Sequence, residues 1–462
     1  MVSQGALFGY TLLLLLLALL GFRKALRRKR KDLIKVTQRS RSIGFLHPHS
    51  LNGGGGERVL WCAVQAIKKV WPRSHIVIYS AWSSVGVGVL DAVEVSRSTV
   101  RKQFGLDLTD IDFQPVDISE VSYLTDARNY PRLTLLLQAL GALRLGAKAY
   151  AKQPVELLID TANLSFSLIV PKFMGAHTMS YVHYPTISMD MLELVRSRRT
   201  QFNNDASIAS SRTKSFAKTI YYRLFATLYG VNARFVDVKV ANSSWTASHL
   251  RGLWRGHVHR VFPPCDVHKD IEEVEREAGL IVSVGQFRPE KNHELQLEMM
   301  RYLREKHSDV KCRLVMIGGA RNEADKARAE ALRKSARREQ LDVDVRVNIS
   351  RQELQQVLRK AWVGVHTMRD EHFGISVVEL QASGIVVVAH RSGGVATDIV
   401  RDGDSGLLVQ RGEEYADAVA SVIRDGEQAE KIRERGLRSC ERFADHVFRE
   451  RFGQVVAESF NI

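Results

Sequence analysis

The sequence predicts an α/β protein of two doubly wound domains in tandem, each a parallel sheet with helices on both faces, carried behind an apolar amino-terminal segment. Three observations lead there. The chain has 462 residues, 45% hydrophobic and 26% charged, which is enough for two or three ordinary cores and unlike a disordered or collagenous chain. From residue 42 onward, short β-branched runs alternate with helical patterns, the signature of parallel sheets. The alternation runs twice, with a polar acidic stretch between the two series.

The first element is the apolar run. No charge precedes Arg23, and Ala6–Phe22 reads ALFGYTLLLLLLALLGF. Seventeen helical residues reach about 25 Å, close to the ~27 Å of a thin bilayer such as the endoplasmic reticulum. A cleaved leader places basic residues before its apolar core. Here they follow, as RKALRRKRK at 23–31. The positive-inside rule then keeps that cluster, and the body behind it, on the cytosolic side. We therefore expect residues 1–31 to be a retained, single-pass anchor with a basic flank; monotopic insertion is the alternative.

The first domain is expected over 42–265. Its strands read SIGFL (Ser42–Leu46), HIVIY (His75–Tyr79), VELLI (Val155–Ile159), HTMSYV (His177–Val182) and VDVKV (Val236–Val240). A helix ending near Lys69 follows the first. Leu133–Tyr150 is apolar but interrupted by Gln138, Arg144 and Lys148. It reads first as a buried helix, and second as one lying on a membrane. Arg196–Ser215 is polar and aperiodic, a long loop. Residues 266–278 read as the hinge.

The second domain, 279–440, has strands at Leu280–Val284, Cys312–Ile317, Val343–Val347, Val363–His366 and Ile385–Ala389, with a charged helix at Glu323–Arg338. Residues 441–462 read as a terminal helix able to cross back to the first domain. Doubly wound sheets bind ligands at the carboxyl ends of their strands, so two in tandem point to the cleft between them.

Composition narrows the partners. Lys and Arg number 67 against 51 Asp and Glu, a formal charge of +16, which suits phosphates, acidic lipids or nucleic acid alike. The four cysteines are isolated, with no CxxC pair, so reduced thiols facing the cytosol are expected rather than a zinc cluster or disulfide framework. Of two D-x-D strings, the one at 342–344 lies in an expected strand whose alternation explains it, and the one at 110–112 lacks a glycine-rich partner motif.

Four constellations carry chemistry. Asn52-Gly53-Gly54-Gly55-Gly56-Glu57-Arg58 sits between the first strand and its helix, where missing side chains let a backbone approach an anion. It is neither a P-loop nor a G-x-G-x-x-G fingerprint. His183 closes the strand in YVHYP, where a structural role and a cleft role are both open. Gly285–Asn292 (GQFRPEKN) brings Arg288 and Lys291 to a strand end, a fork and a point charge suited to a diphosphate. Last, EHFGISVVE places Glu371 in a loop and Glu379 one to two turns into a helix that starts near Gly374. The amides of Gly374, Ile375 and Ser376 then form a phosphate-binding helix start.

Together these motifs resemble the retaining GT-B glycosyltransferases, in which two Rossmann-like domains face across a cleft. The E-x7-E element, Glu371 to Glu379, and DGDSGLLV at Asp402–Val409 carry the likeness over nearly the whole chain from Ser42. HPHSLNGGGGERVLW, YVHYPTIS, YYRLFATLYG, ANSSWT and GQFRPEKNH narrow it to the GDP-mannose-dependent α-1,2-mannosyltransferases of dolichol-linked oligosaccharide assembly. The resemblance implies a GDP-mannose donor and a dolichyl-pyrophosphate-linked acceptor. It also implies anomeric retention, no metal or other cofactor, and work at the cytosolic face of the endoplasmic reticulum membrane, with sister mannosyltransferases as possible partners. It implies residue roles too. Glu379 holds the nucleotide ribose and Glu371 the mannose. Arg288, Lys291 and the Gly374–Ser376 amides neutralise the diphosphate. His183 lies near the reacting carbon, and Gly54, Gly55 and Gly56 close over the diphosphate.

Gln286 stands where many relatives have arginine, so Arg288 would supply that charge. Ser392-Gly393-Gly394 receives no role. On this reading Glu379→Ala and Lys291→Ala abolish transfer with little loss of folding. Another lipid-linked linkage, a soluble-acceptor synthase and a non-catalytic nucleic-acid binder remain as alternatives; the last lacks any base-reading motif.

Overall fold

The computed structural model describes residues 41–187, 212–267 and 275–460, with a few helical positions between 20 and 32. Most of the expected anchor, the loop from 196 to 211 and hinge residues 268–274 lie outside the described residues. Among the described residues, no helix is long and apolar enough to cross a membrane.

The first sheet is parallel throughout. It comprises β1 (Ser42–Leu46), β2 (His75–Ser80), β3 (Gln114–Asp117), β4 (Leu157–Asp160), β5 (His177–Val182), β6 (Val238–Ala241) and β7 (His259–Arg260). Their order is β3-β2-β1-β4-β5-β6-β7. The second sheet comprises β8 (Glu277–Val284), β9 (Arg313–Gly318), β10 (Val343–Val347), β11 (Ala361–His366), β12 (Val386–His390) and β13 (Leu407–Val409), in the order β10-β9-β8-β11-β12-β13. In each sheet the chain winds outward one way and then the other. The switch points lie between β1 and β4 and between β8 and β11, where ligand crevices open.

Several expectations need correction. β3, β7 and β13 escaped the sequence reading because they are short edge strands; β3 even holds Pro115, tolerable only at an edge. Strand β8 begins at Glu277, inside the expected hinge, and pairs with β11 from that residue on. Arg212–Asn232 is one continuous helix, so the last four residues of the expected polar loop are helical.

Leu133–Tyr150 corresponds to helix Thr134–Lys152, whose Ala139, Ala142, Leu145, Ala149 and Tyr150 are buried in an apolar cluster with Leu46, Tyr79 and Leu158 of the sheet. The helix rests almost on backbone: a Cβ added at Gly146 would lie 1.8 Å from the carbonyl oxygen of Ser167. It is a core helix. The terminal helix Asp445–Ser459 returns to the first domain, where Phe448, Phe452, Val455 and Val456 join the core around helix Gly55–Val70.

Candidate active site

The candidate residues come from loops at the carboxyl ends of strands on both sides of the interdomain gap. The glycine loop follows β1, Thr161 follows β4 and His183 follows β5. Lys291 follows β8, Glu371 follows β11 and Ser392–Gly394 follows β12.

Glu371 and Lys291 meet. Lys291 Nζ donates to Glu371 Oε2 at 2.5 Å, and His366 Nε2 lies 3.2 Å from the same oxygen. The backbone N–H of His372 donates to Oε1 at 3.2 Å. Glu371 is only 9% exposed. Burial alone would raise its pKa, yet the ammonium of Lys291 and the bond from His366 hold the carboxyl well below the usual range. Both partners have left-handed neighbours, Asn292 (φ 50°) and Asp370 (φ 54°), a backbone state that side chains adopt at a cost and that clusters at functional sites.

Ser392–Gly394, to which the sequence assigned no role, forms the floor of this loop. Ser392 Oγ accepts from the Asp370 amide at 2.7 Å, and the Gly394 amide donates to Glu371 O at 2.6 Å. Gly393, at φ +66°, leaves room for that approach: a Cβ there would stand 2.4 Å from Glu371 O.

The second carboxylate, Glu379, lies half-buried in helix Ile375–Ala382. Burial first, and the charge of Glu379 second, push the Cys265 thiol up, so Glu379 lies near the chain crossing between domains. At the start of that helix, Gly374 takes φ +110°, and the first turn closes when the Val377 amide donates to Gly374 O. The amides of Ile375 and Ser376 precede that bond and have no partner within the helix.

Gly55 faces this helix start directly: a Cβ on it would come 2.4 Å from Ile375 Cδ1. The glycine loop therefore abuts the start of helix Ile375–Ala382 across the gap. It is held from behind by its own helix cap. Gly54 N–H donates to Glu57 Oε2 at 2.8 Å, and His47 Nε2 is 3.5 Å from Glu57 Oε1. His47 Nδ1 lies 2.9 Å from Thr161 Oγ1. His47 and Thr161 were not singled out in the sequence, and Glu57 only as part of the glycine motif; the signal was the glutamate at the third position of the helix after the glycines, a capping-box pattern.

His183 Nε2 lies 2.9 Å from the Thr161 carbonyl oxygen. A carbonyl only accepts, so Nε2 carries the hydrogen and Nδ1 is left with a lone pair. Burial brings the His183 pKa down to about 4, so the ring is neutral near pH 7. Arg288 stands apart from the ion pair: it bonds to Glu290 and reaches Gln286 Oε1 at 3.4 Å, its guanidinium half exposed. The structure thus joins Lys291 to Glu371, and sets Gly55 against Ile375 and Gly56 beside His183, with Glu379 on the next turn of that helix and Arg288 bonded elsewhere.

The pairing also corrects one expectation. Lys291 neutralises a buried carboxylate, so removing it strains the fold as well as the site.

Comparison with known proteins decides the family. Residues 40–254 match the family profile described as ALG11 mannosyltransferase N-terminus, and residues 266–439 match Glycosyl transferases group 1. A protein from Mus musculus named GDP-Man:Man(3)GlcNAc(2)-PP-Dol alpha-1,2-mannosyltransferase is 39% identical over 460 residues, 95% of this chain and 91% of the relative. Proteins of the same name from Dictyostelium discoideum and Homo sapiens are 35% and 38% identical, covering 94% and 96% of this chain and 86% and 93% of their own.

The chain belongs to this α-1,2-mannosyltransferase family.

Solved structures share the fold at low identity. Sucrose-phosphate synthase from Thermosynechococcus elongatus superposes with a TM-score of 0.63 at 15% identity, covering 90% of this chain and 98% of its own. Anabaena HepE, in complex with UDP and glucose, gives 0.58 at 15%, covering 90% and 99%. The mannosyltransferase family membership makes the chain an enzyme. Among its described residues no group of three or more His, Cys, Asp or Glu is placed to hold a metal ion, and its four cysteines are free thiols.

Proposed function

We propose that this chain transfers mannose from GDP-mannose, with retention, to a dolichyl-pyrophosphate-linked oligosaccharide, forming α-1,2 linkages. The supporting observation is the Lys291–Glu371 pair beside the helix start at Gly374–Ser376, facing the glycine loop and His183 of the other domain. The relatives' shared name supplies the donor and acceptor.

Each group then has work to do. Lys291 spends one hydrogen on Glu371 and has two more for diphosphate oxygens. With the Ile375 and Ser376 amides it stabilises the charge that builds on the leaving diphosphate as the sugar carbon becomes oxocarbenium-like. Glu371 Oε1 keeps acceptor capacity for a mannose hydroxyl, and Glu379 takes the ribose. His183 offers a neutral Nδ1 acceptor beside the reacting carbon, while Gly54–Gly56 let backbone approach the diphosphate.

Retention then follows from attack by the acceptor hydroxyl on the face the diphosphate leaves. Glu371, committed to Lys291 and His366, is a poor covalent nucleophile. Catalysis runs without metal, and turnover unchanged by excess chelator is the expected result.

We infer further that the enzyme sits on the cytosolic face of the endoplasmic reticulum membrane through its first domain as well as its anchor. Helix Arg212–Asn232 exposes Phe216, Ile220, Leu224, Leu228 and Val231, spaced along one face. No acidic residue occurs between Asp205 and Asp237, while Lys218, Arg223 and Arg234 do. Such a helix suits the boundary of an anionic leaflet. Leu26, behind the apolar run, is buried in the same first-domain cluster that receives Phe225 and Tyr229 from the other side of this helix, so the basic flank packs onto this domain. Phe216→Ser with Leu224→Ser, in protein lacking residues 1–31, should lower flotation with vesicles containing phosphatidylserine. Undiminished flotation refutes the seating.

The activity is tested by offering purified protein GDP-mannose, other sugar nucleotides and a short-glycan lipid pyrophosphate, then analysing the product linkage. An α-1,2-mannosyl product is expected. Another linkage identifies a sister lipid-linked activity, and no transfer from GDP-mannose overturns the reading.

A further inference from the structure

One residue of the second domain is gripped by the first. His372 follows Glu371 directly, and its ring packs against two aromatic side chains from the opposite domain. Tyr184, just after β5, stacks on it at 5.3 Å between centroids and 27° between planes. Trp245, in the first turn of helix Ser244–Trp254, meets it at 5.3 Å and 47°, and is itself backed by His249 at 4.1 Å.

The start of that helix is tied to the second domain at the adjacent residue. Ser244 N–H and Oγ donate to the two Asp398 carboxylate oxygens at 2.7 and 2.5 Å. Arg260 Nη1 also donates to Ser244 Oγ, at 2.6 Å. On the other side of His372, Gly394 presses on the backbone: a Cβ there would be 2.4 Å from His372 O. His372 is thus held at its backbone by its own domain and at its side chain by the other. The N–H of His372, in the peptide unit before that carbonyl, donates to Glu371 Oε1, so a rotation of the His372 backbone moves the bond that orients the carboxylate.

We propose that His372 is a positioning residue that couples the seating of the first domain, through Tyr184 and Trp245, to the orientation of Glu371. The inference rests on the proposed role of Glu371. Both are ring contacts, which a flat ring of suitable size makes without the imidazole nitrogens. Carbon rings stack in the same offset and tilted geometries.

The test is steady-state mannosyl transfer by the full-length enzyme. His372→Ala should lower kcat by about 10- to 100-fold, the size of effect produced by a misplacement near 1 Å, with the thermal midpoint nearly unchanged. His372→Phe should stay within about threefold of the parent. Tyr184→Ala combined with His372→Ala should be no worse than His372→Ala alone, because the two remove one shared contact.

A His372→Phe enzyme as impaired as His372→Ala shows that the imidazole itself acts and overturns the proposal. So does full additivity of the double variant, or a wild-type His372→Ala. Glu371→Ala separates the two readings. If it is fully active, the site assignment fails. If it is dead while His372→Ala is unaffected, only the coupling fails.

Discussion

At the scale of single residues, the decisive fact is that Lys291 and Glu371 are one unit. Removing one member of a buried ion pair costs about 3–5 kcal/mol, because it leaves an uncompensated charge; with Lys291 partly solvated, about 2–3 kcal/mol is expected. Lys291→Ala should therefore lose roughly 100-fold or more in turnover and also denature at lower urea concentration. Lys291→Ala with Glu371→Gln should recover most of the stability and none of the activity; a single variant as stable as its parent refutes this account. Acid titration probes the same residues. The native pKa values of His183 and His293 are lowered by burial from 6.5 to about 4. Between those values the unfolded chain binds more protons, so stability falls as pH falls from about 6.5 toward 4, by on the order of 2–3 kcal/mol per group. Glu371, also depressed, adds its loss only below its ordinary value near 4.5. Denaturant midpoints measured from pH 7 to pH 4 should show the decline, and His183→Gln should remove part of it.

At the scale of elements, the glycine loop and the helix start touch through one methyl group. Gly55→Ala drives its Cβ into Ile375 Cδ1, so it should push the loop off the helix and cut turnover about 10-fold, consistent with a shift of several tenths of an ångström at a positioned site. Adding Ile375→Val removes that methyl and should restore most of the rate; failure of the rescue shows that Gly55 matters for backbone freedom instead. This contact also marks how far the sequence could be read. Strands Ser42–Leu46 and Val343–Val347 were legible to the residue, the first as a short run closed by the glycine loop and the second by its alternating valines, and the start of the Glu379 helix to within one residue of Gly374. β3, β7 and β13 were not, since an edge strand of two to four residues has no period to detect. Glu371 and Glu379 were singled out by their spacing and Lys291 by its place after a strand, whereas the Ser392–Gly394 floor received no role. Its role is to lie under another loop, and nothing in a linear pattern says which loop comes to rest on a pair of glycines. The same holds for His372, whose partners are 188 and 127 positions away.

At the scale of the molecule, the two domains are bound together by more than the segment that links them. Helix Asp445–Ser459 begins on the second domain's side and ends in the first domain's core. It buries Phe448, Phe452, Val455 and Val456, with Phe460 beyond, among the apolar side chains of helix Gly55–Val70. Arg58 of that helix, itself only 8% exposed, forks onto Asp445 with bonds of 2.9 and 2.6 Å. Five buried side chains of this size stabilise by about 2 kcal/mol each, a sum near 10 kcal/mol that matches the whole stability of an ordinary domain. Helix Gly55–Val70 also carries the glycine loop at its start, so the terminal helix holds that loop from behind. A chain ending at Ala444 should therefore fail to fold its first domain and accumulate as aggregate. Asp445→Asn keeps the apolar contacts and loses the charge opposite Arg58. That variant should fold, lose about 2–3 kcal/mol, and show faster amide exchange in residues 55–70 while exchange in β8 and β9 is unchanged. Equal loosening of both sheets refutes the assignment of this helix to the first domain's core, because the fork from Asp445 touches only that side.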